Sequence, residues 1–156
     1  ARKNGREEIK YVIPCMERYL KETYGFTIYQ EQIMHLSRLL ANFTREESDI
    51  LRKALGKKKQ EVLDKMKPNF IEGGRQNGHD SKILEKIWND WENKYGLYAY
   101  CKSHAVCYTW LAYQTAYLKA HYPNEYMSAL LKFSMKDWHE FKIIQQECER
   151  MEIQLI

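Results

Sequence analysis

Glycine and proline are scarce in this chain, seven and three among 156 residues, so few breakers interrupt it. No apolar run approaches the roughly 20 residues needed to span a bilayer, and no membrane association is expected. The start carries Arg2, Lys3, Glu7, Glu8 and Lys10 and has no apolar stretch of the secretory kind, so no signal peptide is expected. Cysteine is too sparse for a disulfide framework. Cys15, Cys101, Cys107 and Cys148 form no C-x-x-C pair, and reduced thiols in a cytoplasmic protein are the expectation. Charge of one sign does not dominate either: 25 Lys and Arg against 21 Asp and Glu give +4, a mild excess that does not by itself imply a nucleic-acid partner.

Catalytic signatures are missing as well. Metal-assisted phosphoryl transfer needs paired carboxylates, and the chain has no D-x-D. Asp90 and Glu92, two apart on a helix, point different ways, while Asp49, Asp64 and Asp137 stand alone. Neither a glycine-rich phosphate loop nor a nucleophile elbow occurs. No catalytic residue and no metal ligand set are assigned. Cys101, His104 and Cys107 recur at spacings of three, a spacing that suits zinc ligands on a helix, but a fourth ligand has no obvious source, and Cys107 reads as a small core residue.

What the chain does have is apolar and aromatic mass. Hydrophobic residues make up 44%, with twelve tyrosines and four tryptophans. These serve an aromatic core, base stacking, or both. The periodicity is helical throughout. Pro14 can open a helix through Tyr19, with Gly25 ending it. Ile33, Leu36, Leu39 and Leu40 mark a second helix starting near Tyr29. Thr44 and Glu47 form a capping box ahead of Ile50, Leu51, Ala54 and Leu55, and Gly56 reads as a stop or hinge. A helix over 60–76 contains Pro68, which is expected to kink or split it. Asp80 or Ser81 caps a helix with Ile83, Leu84, Ile87, Trp88 and Trp91 inside. Residues 95–101 read as a loop, Ser103 as the N-cap of a long helix, Pro123 as the start of a shorter one, and Asp137 as the cap of the last. Residues 153–156 alternate enough for a short strand. The class is all-α, with seven or eight helices.

Three polar clusters carry chemistry. Arg52, Lys53, Lys57, Lys58 and Lys59 surround Gly56. Like charges at helical spacing repel and want an anion, with phosphate the natural one. The plainer reading is a solvated helix end whose cations complement the dipole. Lys102, Ser103 and His104 precede the long helix, where free N–H groups and a positive dipole end suit triphosphate or DNA phosphate; an ordinary serine cap is the alternative. Gln30 and Gln32 offer amides for base edges or sugars, or are simply polar helix-surface residues.

Ordered along the chain, these segments resemble the polymerase III alpha subunits, the C-family replicative DNA polymerases of bacteria. Tyr29-Gln30-Glu31-Gln32-Ile33-Met34 is similar to their Y-Q-E-Q-[IV]-M. Leu51-Arg52-Lys53-Ala54-Leu55-Gly56-Lys57-Lys58 is similar to L-R-[RK]-A-M-G-K-K. Lys102-Ser103-His104-Ala105, Tyr113-Gln114-Thr115 and Leu118-Lys119-Ala120-His121-Tyr122-Pro123 are similar to N-K-S-H-A, Y-Q-T and L-K-A-H-Y-P. Phe70-Ile71-Glu72-Gly73 and Asn77-Gly78 fall in order between them. Cys101 departs from the family's usual Asn, and Leu55 from its usual Met.

The resemblance implies that residues 1–156 are a multi-helix fingers-domain fragment. The palm, N-terminal phosphoesterase-like, helix-hairpin-helix and clamp-binding regions would lie outside it. Arg52, Lys53, Lys57 and Lys58, with Lys102, Ser103 and His104, would face phosphates of the incoming dNTP or of template–primer DNA. Tyr98 and Tyr100 would lie near the nascent base pair. Aspartates of the absent palm would hold two Mg²⁺ ions for nucleotidyl transfer, and sliding clamp and other replisome subunits would bind through absent regions. The fragment alone is expected to be inactive. Two readings independent of the resemblance stay open: a non-catalytic all-α nucleic-acid-binding module, and a helical protein-assembly domain.

Overall fold

The structure, a computed structural model, describes residues 1–95 and 100–154. Eight α-helices carry the described chain: α1 (Glu17–Leu20), α2 (Gln30–Ala41), α3 (Arg45–Gly56), α4 (Gln60–Gln76), α5 (Ser81–Asp90), α6 (Lys102–His121), α7 (Pro123–Ser134) and α8 (Trp138–Arg150). Single 3-10 turns flank α1, and a π turn, Trp91–Tyr95, follows α5. Among the described residues the sole β pairing is an isolated parallel bridge between Tyr29 and Tyr100. The all-α expectation holds. The chain divides into two compact units, residues 1–105 and 106–156.

In the first unit most of the apolar repeats read from the sequence become the core; Ile50 and Ile83, expected inside, are exposed at the rim of theirs. Ile33, Leu36 and Leu40 of α2, Leu51, Ala54 and Leu55 of α3, and Leu84, Ile87 and Trp88 of α5 are all buried. Helix α2 packs on α3 and α4, and α4 on α5. Phe70 sits at the centre. Its ring meets Phe43 edge-on at 5.9 Å and lies 5.3 Å from Trp88 and 5.2 Å from Trp91, an arrangement that adds to simple area burial. Gly73 lets α4 approach α2 closely, since a Cβ there would fall 2.2 Å from the Ala41 carbonyl oxygen.

Sequence signals set the helix ends. Thr44 Oγ1 accepts from the N–H of Glu47, and Glu47 accepts in return from the N–H of Thr44, at 3.1 and 2.8 Å. Asp80 and Asp137 cap α5 and α8. Pro68 does not split α4, which runs unbroken through it. The proline and Asp64, whose carbonyl it leaves without a helical partner, are both exposed. Ser103 is not the cap of α6, which starts one residue earlier at Lys102.

In the second unit α7 packs on α8, with Met127 and Cys148 buried. Burial pushes the Cys148 thiol up, with Glu147 and Glu149 adding to the shift. Lys119 of α6 reaches Glu147 of α8 at 2.6 Å. Cys107, expected inside, is exposed. Residues 153 and 154 are in neither helix nor strand, so the expected strand is absent from the described part of the tail.

Candidate functional site

Helix α3 presents its basic residues on a scaffold of its own making. Asp49, one turn earlier, accepts from Arg52 Nη2 at 2.8 Å and pairs with Lys53 Nζ at 2.7 Å. The Lys53 and Arg52 hydrogen bonds hold the Asp49 carboxyl below the usual carboxylate range. Arg52 Nη1 also reaches Gln30 Oε1, at 3.4 Å. A guanidinium fixed by two partners loses little freedom on meeting an anion, and Arg52 keeps 32% of its side chain exposed. Lys53 is more open, at 59%.

Lys57 and Lys58 stand beyond the end of α3, exposed, and form no ion pair among the described residues. The turn that carries them is a Schellman motif. The N–H of Lys59 donates to the Ala54 carbonyl and that of Lys58 to Leu55, at 2.9 and 3.3 Å. Its left-handed position belongs to Lys58, at φ 51°, where glycine is the usual occupant. Gly56, read from the sequence as the stop, is simply the last helical residue, with open space where a Cβ would be.

The start of α2 meets the start of α6. The N–H of Gln30 donates to Tyr100 O at 2.9 Å, and that of Tyr100 to Ile28 O at 3.1 Å. Glu31 then places its carboxylate on the N–H of Lys102, at 3.0 and 3.1 Å, with the Cys101 thiol at 3.5 Å. Lys102 Nζ pairs with Glu22 at 2.6 Å. That bond raises the ammonium pKa above its ordinary value, burial working against it. Two carboxylates thus occupy the ammonium and the N–H of Lys102, one of the three residues assigned from sequence to phosphate. Ser103 and His104 are exposed in the first turn.

Arg52, Gln30 and Tyr100 are therefore joined by direct contacts within one unit, and Lys102 is tied to the same helix start through Glu31. Tyr100 is 60% exposed. Tyr98 lies outside the described residues. Gln32 needs a correction: it is buried, 4% exposed. Its Oε1 accepts from the N–H of Ile28 and of Tyr29 at 2.8 and 2.9 Å, while Nε2 donates to Tyr19 O at 2.9 Å and Thr23 Oγ1 at 2.8 Å. Both donors and both lone pairs of the amide are used, so nothing remains for a base edge. Glu31 and Glu22 were missed, because a glutamate on a polar surface carries no sequence signal for a partner 71 or 80 residues away. Cys101, His104 and Cys107 assemble no zinc site: among the described residues no group of three or more His, Cys, Asp or Glu side chains is placed to hold a metal ion.

Comparison with known proteins places these residues. The model of the bacterial DNA polymerase III alpha subunit finger domain matches residues 1–78, which include α2, α3 and the basic turn. The DNA polymerase III subunit alpha of Aquifex aeolicus is 45% identical over 136 residues, 87% of this chain and 12% of that protein. Those of Pseudomonas aeruginosa and Escherichia coli are each 38% identical over 160 residues, covering 99% of this chain and 14% of theirs. The chain thus spans about an eighth of the length of these relatives, and it belongs to the family of the bacterial DNA polymerase III alpha subunit finger domain.

Proposed function

We propose that this chain is the finger segment of a cytoplasmic, DNA-directed DNA polymerase of chromosomal replication, and that its basic face binds phosphates of the incoming dNTP and of template–primer DNA. The observation that carries the reading is Arg52. Asp49 and Gln30 hold its guanidinium with one third of the side chain open, beside Lys53 and ahead of Lys57 and Lys58. In polymerisation the primer hydroxyl attacks the α-phosphate and pyrophosphate leaves. Fixed cations around the triphosphate offset its charge and stabilise that leaving group without reorganising.

The Mg²⁺ expected for the full polymerase finds no ligand set among the described residues. Its carboxylates belong to other segments of the parent polypeptide, and no step by residues of this chain runs through the metal. Helix α6 supports an origin in a larger enzyme. Tyr108, Trp110, Leu111 and Tyr113 are all more than half exposed. Consecutive turns with apolar groups on every side are characteristic of a helix buried in a larger core. The palm and neighbouring domains of the same polymerase would cover it, given that this chain is 12–14% of its relatives' length. Contacts with the sliding clamp and other replisome subunits would run through those further regions.

The test is kinetic, in the full-length polymerase. Arg52→Ala and Lys53→Ala should each lower kcat/KM for dNTP by about tenfold or more, the scale of one lost charge-assisted hydrogen bond. The melting temperature should stay within about 2 °C of the parent's, since both side chains lie outside the core and are partly open to solvent. Unchanged kinetics in both variants would overturn the assignment.

A further inference from the structure

A cleft of about 470 Å³, lined by none of the basic residues of α3 or its turn, opens between the helical run around α1 and the first turns of α2. Three cations line it: Arg18, Lys21 and Lys102. Lys102 is matched by Glu22, and Glu31 is occupied at the start of α6. Lys21 has no ion-pair partner among the described residues, and Arg18 lies over the Tyr19 ring, 5.4 Å from its centroid. Tyr19 in turn stacks on His35, with centroids 4.8 Å apart and planes 7° from parallel. The His35 ring is exposed. The cleft therefore combines two cations that lack ion-pair partners among the described residues with a flat aromatic platform.

We propose that this cleft is a contact site for single-stranded DNA, with Arg18 and Lys21 on backbone phosphates and His35, backed by Tyr19, stacking a base. The inference rests on the polymerase reading above but uses residues it does not. Cations and ring faces together make a sequence-independent single-strand site. A site for a free nucleotide would call for enclosed polar groups aimed at one small ligand. Here the cations are exposed, and the buried amide of Gln32 has all its hydrogen bonds within the protein. Glu22 acts as a local brake. It neutralises Lys102 and puts a negative charge beside any incoming phosphate.

The probe is a fluorescein-labelled dT20 strand, its binding to this 156-residue chain followed by anisotropy between about 50 and 200 mM salt. Removing two phosphate contacts should flatten the salt slope by about 1.4, since each contributes about 0.7 for single strands. Arg18→Ala/Lys21→Ala is expected to show that change and to bind at least about fivefold more weakly at the low-salt end. Glu22→Gln is expected to bind about two- to threefold more tightly, a gain that loss of folding cannot mimic. Lys65→Ala on α4, a cation outside the cleft lining, should match the parent. The proposal is overturned if the double variant behaves like Lys65→Ala, if Glu22→Gln weakens binding, or if free dATP competes as well as an oligonucleotide does. Arg18→Ala/Lys21→Ala in the full polymerase should leave KM for dNTP unchanged, so failure here and failure of the Arg52 assignment are read separately.

Discussion

The Glu31 carboxylate closes on the backbone N–H of Lys102 with both oxygens, at 3.1 and 3.0 Å. It is a helix cap supplied from 71 residues away. The first N–H groups of a helix lack internal partners, and an anion there gains from the dipole as well as from the hydrogen bonds. Glu31→Ala should therefore cost local stability of about 1 kcal/mol, and Glu31→Gln, which keeps an acceptor but loses the charge, about half that. Hydrogen exchange at residues 102–105 is the measurement: those amides should exchange about fivefold faster in Glu31→Ala. Equal protection in both variants and the parent would mean that the cap does not hold α6.

Lys58 is a residue where stability and function should separate. A non-glycine residue in the left-handed region costs roughly 1–2 kcal/mol, and Lys58 occupies it at φ 51°. Lys58→Gly should raise the urea midpoint of the first unit by an amount worth about 1 kcal/mol. The same change removes a cation from the basic turn, so dNTP or DNA affinity in the full polymerase should fall. A variant that is both more stable and unimpaired would leave the turn without a role in binding.

The fold was largely legible because its signals are local. The spacing of Ile33, Leu36 and Leu40, the Thr44–Glu47 box and the Asp80 and Asp137 caps each specify a helix or its end within a few residues, and all appear in the structure. Errors arose where the deciding partner is distant. Ser103 looked like a cap, but Glu31 holds that helix start. Gln32 looked like a surface amide, but the 3-10 turn of Lys21–Thr23 places Thr23 beneath it. The basic residues could be recognised by type, whereas their grouping depended on Gln30 bridging α2 to α3 and to Tyr100, which no periodicity encodes.

Gly73 tests the crossing of α2 and α4. A methyl group there would meet the backbone oxygen of Ala41 at 2.2 Å and its carbonyl carbon at 3.0 Å, and backbone yields less readily than a side-chain end. Gly73→Ala should destabilise the first unit by about 2–3 kcal/mol, in the overpacking range, although alanine favours helix. Gly56→Ala has nothing within 4 Å of its Cβ position and should be neutral or stabilising by about 0.5 kcal/mol. Chemical denaturation of the two variants side by side checks the contrast, and a tolerated Gly73→Ala would mean the two helices are not in close contact.

Glu147 is an acid-sensitive link between α6 and α8 in the second unit. Hydrogen bonds from Arg150 and Lys119, at 2.7 and 2.6 Å, lower its pKa from 4.5 to about 2. A carboxyl whose pKa is depressed on folding contributes stability above its unfolded pKa and loses it as pH falls through the folded value. The contribution should thus be constant above about pH 4.5 and fade between there and about pH 2. Glu147→Gln, which keeps the shape without the charge, should melt below the parent at pH 7 and converge on it across that window. Added salt should narrow the gap at pH 7, because the groups are partly exposed and screened. A gap that stays constant from pH 7 to about pH 2 would assign the effect to packing instead of to the link between α6 and α8.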